Sequence, residues 1–150
     1  MKPFRFRLQR LLDLRQKETK IAQNALGQAQ AAARQAADWL AVAVANRTES
    51  GERLLTRRQR RMTALEWRHS AELHQALIDQ EKLAAQRMNE ALALEAQRRA
   101  EVAEAERREK VLDRLRERRA DEYRLAAEAY EQAEIDEMGQ NMYREGGGRR

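Results

Sequence analysis

Apolar residues in this chain recur at steps of three and four, the spacing of a single helical face. In the N-terminal third the pattern takes in Phe4, Leu8, Leu11, Leu12, Ile21, Ala22, Ala25, Leu26, Ala29, Ala32, Ala33, Ala36, Trp39, Leu40 and Ala43. From Ala22 onward these form one stripe, made largely of alanine, that lets a partner helix approach closely but fixes its register weakly. Farther on, Met88, Ala91, Glu95, Arg98, Val102, Ala105, Glu109, Leu112, Arg116, Arg119, Tyr123, Ala126, Tyr130 and Ala133 keep strict alternating steps of three and four. Those are the a and d positions of a heptad repeat, which predicts a left-handed supercoil. Five of the fourteen are charged, so the seam is interrupted.

Helix breakers are almost absent. Between Gly51 and Gly139 the chain runs 87 residues without glycine or proline, and its one proline is Pro3. The spacing predicts an all-α protein of two long helices folded as an antiparallel coiled-coil hairpin, helix one over about 4–60 and helix two over about 63–140. Pro3 suits a helix start. The hairpin forms a single domain over 1–143, and residues 144–150, with Gly146–Gly148, read as a flexible tail. Two places compete for the reversal. Asn46–Gly51 has turn chemistry, whereas Thr63 and Glu66 have capping-box spacing just after the run Arg57, Arg58, Arg60 and Arg61. The second is preferred, with reversal near 56–63; one continuous helix that dimerises is the alternative.

Charged residues make up 37% of the chain and aromatics 5%, and the mean hydropathy is −0.94. Such a chain is either disordered or a long helix, and its periodicity favours helix. A protein drawn out in this way has little interior to enclose a substrate, so a scaffold or adaptor is expected and not an enzyme. There is no cysteine, and the longest apolar run, Trp39–Ala45, is too short for a membrane span. No signal-peptide core follows the basic N-terminus, so the expected location is the cytoplasm, against the membrane only through a partner.

Site chemistry is sparse. His69 and His74 are five residues apart, off a common face, and lack the context of a metal motif. Ser50 and Ser70 are the only serines and sit in no nucleophile elbow. Neither metal nor cofactor is expected, and the carboxylates read as solvated salt bridges.

The charge is segregated. Residues 1–20 carry seven Lys/Arg against two acids, and residues 47–61 carry six Arg against Glu49 and Glu52. Residues 121–137 reverse this, with seven acids against Arg124. An antiparallel hairpin brings the basic N-terminus toward the acidic segment and leaves the bend basic. Arg57, Arg58, Arg60 and Arg61 with Trp67 could grip a nucleic acid, but the regular leucine seam of a zipper-type basic region is missing beside them. No nucleic-acid partner is therefore expected, and that reading stays as the lesser alternative.

The first fifteen residues carry a more specific pattern: Phe4-x-Phe6-x-Leu8-x-x-Leu11-Leu12-x-Leu14-Arg15. This resembles the opening of the flagellar FliJ family, general components of the flagellar type III export apparatus. Glu134-Ile135-Asp136-Glu137-Met138 is similar to the short apolar-Asp-Glu motif near the C-terminus of that family. The resemblance extends to length, helical pattern and the capping box at Thr63, and rests on about twenty residues of motif.

The resemblance implies a hairpin similar to the central stalk of rotary ATPases. Such a stalk sits in the pore of the hexameric export ATPase, promotes its activity, contacts the integral-membrane export gate component and binds free export chaperones. It would place Phe4, Phe6, Leu8, Leu11, Arg15, Asp136 and Glu137 on the ATPase side. Trp67, Leu73 and Leu77 would face the gate, although Leu73 stands where many relatives carry a larger aromatic. Phe4 and Phe6 equally suit a plain structural role, closing the open end of the coiled coil. An injectisome stalk would look nearly the same.

Overall fold

The computed structural model describes residues 3–146, with side chains through Met142. Two helices make up nearly all of it: α1 (Gln9–Arg58) and α2 (Ala64–Gly146). They pack against each other as an antiparallel hairpin, and no strand occurs among the described residues. The chain divides into two compact units, each drawing on both helices: Thr19–Glu104, and Met1–Glu18 with Ala105–Arg150.

In the Thr19–Glu104 unit the chain reverses after Arg58 and restarts at Ala64. Arg57 and Arg58 occupy the last turn of α1, where cations complement the exposed carbonyls. The Arg60 N–H donates to the Arg57 carbonyl at 2.9 Å, tightening the exit. Thr63 then caps α2. The Glu66 N–H donates to Thr63 Oγ1 at 3.2 Å, while the Thr63 N–H donates back to Glu66 Oε2 at 2.9 Å. This reciprocal pair satisfies two amides that the first turn of a helix leaves unpaired. The rival turn at Asn46–Gly51 does not form. α1 runs through it, and no described glycine has positive φ.

Buried positions in this unit are small. Thr19, Ala29, Ala33, Ala36 and Ala43 on α1 and Val102 on α2 are its buried residues. Burying an alanine methyl returns far less than burying a leucine, on the order of 0.8 kcal/mol per carbon. The seam is close but thin. On α2 it begins earlier than the pattern from Met88 shows: Ser70, His74, Leu77, Glu81 and Ala84 hold half-buried positions at the same steps. Arg47 of α1 forms an ion pair across to Glu81, and His74 Nδ1 lies 3.2 Å from Ser50 Oγ. Rising numbers on α1 meet falling numbers on α2, the mark of antiparallel pairing. Trp39 is not in the seam. It is 52% exposed, because Ala36, Leu40 and Ala43 take the inward positions of the heptad and leave Trp39 on the flank.

In the Met1–Glu18 and Ala105–Arg150 unit stands Leu12, the one large side chain with no exposure among the described residues. Helix α1 starts at Gln9, five residues later than the pattern predicts. Residues 3–6 are non-helical and Arg7–Leu8 form a turn, with the Gln9 N–H donating to the Phe6 carbonyl at 3.2 Å. No acid stands in the first turn, and no Ser, Thr, Asp or Asn precedes Gln9 to cap it. The Phe4 ring instead meets that of Tyr123 on α2, and Pro3 is left outside the helix. Helix α2 continues through residues 144–146, which the pattern assigns to a tail; the remainder of that tail lies outside the described residues. From 128 through 142 every residue of α2 is exposed, so this stretch has no partner helix along it.

Charged seam positions are paired mainly along their own helix. The Arg99 guanidinium donates to Glu95 at 2.7 Å and the Arg98 guanidinium to Glu101 at 2.7 Å. In the other unit the Arg116 guanidinium lies 3.3 Å from the Asp113 carboxylate. These i,i+3 and i,i+4 pairs support the single helix more than the pairing.

Candidate partner-binding surfaces

In the terminal unit the non-helical lead-in Phe4–Phe6 and the turn Arg7–Leu8 lie against α2. The rings of Phe4 and Tyr123 are 5.7 Å apart between centroids and tilted by 49°, within the range of favourable aromatic pairs. Phe4, Phe6 and Leu8 line an open cleft of about 530 Å³ with Leu115 and Tyr123, and Arg5, Arg7 and Arg119 complete its wall. The result is an aromatic floor within a cationic wall, suited to an apolar segment that carries acids. Three of the seven sequence-predicted residues for this side therefore stand together.

The other four do not line the cleft. Leu11 is exposed on the next turn of α1, and Arg15 Nη1 donates to Glu18 Oε2 at 2.7 Å. Asp136 and Glu137 lie farther along α2, at least 13 residues past Tyr123, or about 20 Å of helix. The Asp136 carboxylate accepts from Gln132 Nε2 at 3.0 Å. Nearer the cleft on the same helix, Tyr130 donates to Glu134, whose bond and charge raise the phenol above its ordinary range. This acidic stretch also exposes Ile135, Met138 and Met142.

In the Thr19–Glu104 unit, Leu73 and Leu77 line a groove of about 240 Å³ between the helices. Ser50, Arg53, Leu54 and Arg57 face them from α1, and Ser70 stands beside them. Leu73 is 56% exposed and Leu77 half-buried. Trp67 is 43% exposed and sits earlier on α2, outside the groove. A second apolar surface in this unit joins Trp39, Val42 and Leu83, with Arg87 at its edge. Among the described residues no three His, Cys, Asp or Glu gather as a metal site, and no helix is long and apolar enough to cross a membrane.

The family model described as Flagellar FliJ protein matches residues 4–148. The chain belongs to the FliJ family. That membership ties it to flagellar protein export. No curated protein and no solved structure gave a match. The FliJ match spans the aromatic lead-in, the capped bend and the exposed end of α2, so each surface described above lies within the family's own extent.

Sequence reasoning missed Tyr123 and Arg119 as cleft residues, although both stand in the a/d series; what hid them was the non-helical path of residues 3–6. It also missed Arg53 and Arg57 facing Leu73 and Leu77. Their signal was present as the basic run, but their placement depends on the register between the helices.

Proposed function

We propose that this member of the FliJ family is a non-enzymatic stalk and adaptor of the flagellar type III export apparatus. The cleft of Phe4, Phe6 and Tyr123 binds the hexameric export ATPase and promotes its activity. The groove of Leu73 and Leu77, with Trp67 beside it, docks on the integral-membrane export gate component. Free export chaperones are further partners, and the protein works at the cytoplasmic face of the cell membrane.

The observation that carries this reading is the terminal cleft. Phe4 and Phe6 belong to the motif that resembles the family, and they stand open instead of being consumed in a core. Leu12, one turn inward, does the core's work. Rim arginines supply attraction and orientation for an acidic partner, which speeds encounter more than it strengthens the final complex. Leu11, Arg15, Asp136 and Glu137 belong to this reading as a wider contact, reached by a partner that extends along the unit.

Affinity capture with the purified full chain tests the reading. It should retain the export ATPase and, separately, the cytoplasmic part of the gate component. Phe4→Ala with Phe6→Ala should release the ATPase and keep the gate; Leu73→Ala with Leu77→Ala should do the reverse. Loss of neither partner in either variant would refute the assignment.

A further inference from the structure

We propose that the bend between α1 and α2 docks on an anionic lipid surface. From Arg53 to Arg68 the chain carries six arginines and a single acid, Glu66. That acid is engaged in capping α2, where it accepts the Thr63 N–H. Every residue from 55 to 69 is exposed except the half-buried Met62. Among them stand Leu55, Leu65 and Trp67, with Leu65 74% exposed. Leu55 belongs to the last turn of α1, and Leu65 and Trp67 to the first turn of α2. Apolar side chains from both helices thus share the bend with a cluster of guanidinium groups.

This mixture selects its partner. Guanidinium groups take phosphate oxygens two at a time, and the negative potential of an anionic leaflet draws basic segments to it. Exposed leucines and a tryptophan suit the boundary between headgroups and acyl chains, where tryptophan is enriched. Nucleic acid would satisfy the arginines but offers nothing to Leu55 and Leu65. Single-stranded binding also wants several stacking aromatics, and the bend has Trp67 alone. No described helix crosses a membrane, so the contact is superficial. It goes beyond the proposed function and needs no gate protein.

Vesicle binding tests this with the full chain and no other protein. Vesicles of equal parts phosphatidylglycerol and phosphatidylcholine should capture it at about 0.1 M salt, whereas pure phosphatidylcholine vesicles should not. In a Trp39→Phe background, Trp67 is the sole tryptophan, and its emission should shift to the blue on binding. Arg58→Gln, Arg60→Gln and Arg61→Gln together should weaken capture by on the order of a hundredfold, about fivefold for each charge. Leu55→Ser with Leu65→Ser should abolish the shift in Trp67 emission. Raising salt on the unaltered chain gives the same test without substitution, and should release it. The proposal is overturned by equal capture on uncharged vesicles, by capture with no change at Trp67, by salt-insensitive capture, or by tighter binding to an oligonucleotide than to the charged vesicles.

Discussion

Phe4 reaches back over α2 so that its ring meets that of Tyr123 at 5.7 Å, five residues before α1 begins without a capping side chain. An aromatic pair of this kind contributes about 0.5–1.5 kcal/mol beyond the area it buries. Phe4→Ala should therefore lower stability by about 1 kcal/mol and loosen residues 3–8. Chemical denaturation gives the first value and amide exchange at Gln9 the second. Unchanged exchange at Gln9 would show that the helix start is set elsewhere.

Thr63→Ala removes the hydroxyl that accepts the Glu66 N–H, and loss of such a cap costs about 1 kcal/mol. Glu66 adds a pH dependence. Its carboxyl lies below the ordinary 4.5, first through the Thr63 N–H and next through the Thr63 hydroxyl. A carboxyl lowered in the folded state contributes fully above its unfolded value, and that contribution fades as pH falls through the lowered value. Melting temperature should drop on acidification below pH 4.5, less so in Glu66→Gln. Identical acid profiles for the two chains would contradict the capping account.

Arg47 and Glu81 join the two helices with side chains 39% and 26% exposed. Exposure on that scale limits such a pair to about 0.5 kcal/mol. A double-mutant cycle with Arg47→Ala and Glu81→Ala should give a coupling of that size, falling as salt rises. A coupling near zero at low salt would mean that the pair does not set the register.

The two glycines within α1 should respond differently to alanine. A Cβ added at Gly27 meets nothing within 4 Å, whereas one at Gly51 meets the His74 ring at 3.4 Å. Both positions are helical, where alanine is favoured over glycine by about 0.5–1 kcal/mol. Gly27→Ala should gain the propensity alone, and Gly51→Ala at least as much, since its methyl would rest in van der Waals contact with the His74 ring. A loss of stability in Gly51→Ala alongside a gain in Gly27→Ala would show that the helices are packed too tightly there for a methyl.

What was legible in the sequence was local or periodic. The capping box at Thr63 needs only the spacing to Glu66, so both the bend and the start of α2 could be read from it. The a/d series from Met88 also marked the seam through Arg116, but its next member, Arg119, is exposed and Ala120 takes the half-buried position, with Tyr123 half-buried again beyond it. Contacts between the helices were less readable. Ser70, His74 and Glu81 carry the seam toward the bend with polar side chains, so hydrophobic periodicity passes over them. Trp39 shows the opposite failure: its apolar bulk suggested the seam, yet the inward positions belong to its smaller neighbours. Phe4 and Phe6 were legible as a motif, but their cleft depends on a non-helical lead-in that Pro3 and a helix-rich composition disguise. Asp136 and Glu137 were legible only as a motif, and the helix carries them well past the cleft.

The central claim is that the cleft of Phe4, Phe6 and Tyr123 activates the export ATPase. ATP hydrolysis by that hexamer should be measured with the full chain and with the Phe4→Ala, Phe6→Ala variant, below the melting temperature of both. The account predicts stimulation by the full chain that is lost in the variant while its helix content persists. Equal stimulation by the two proteins would contradict it.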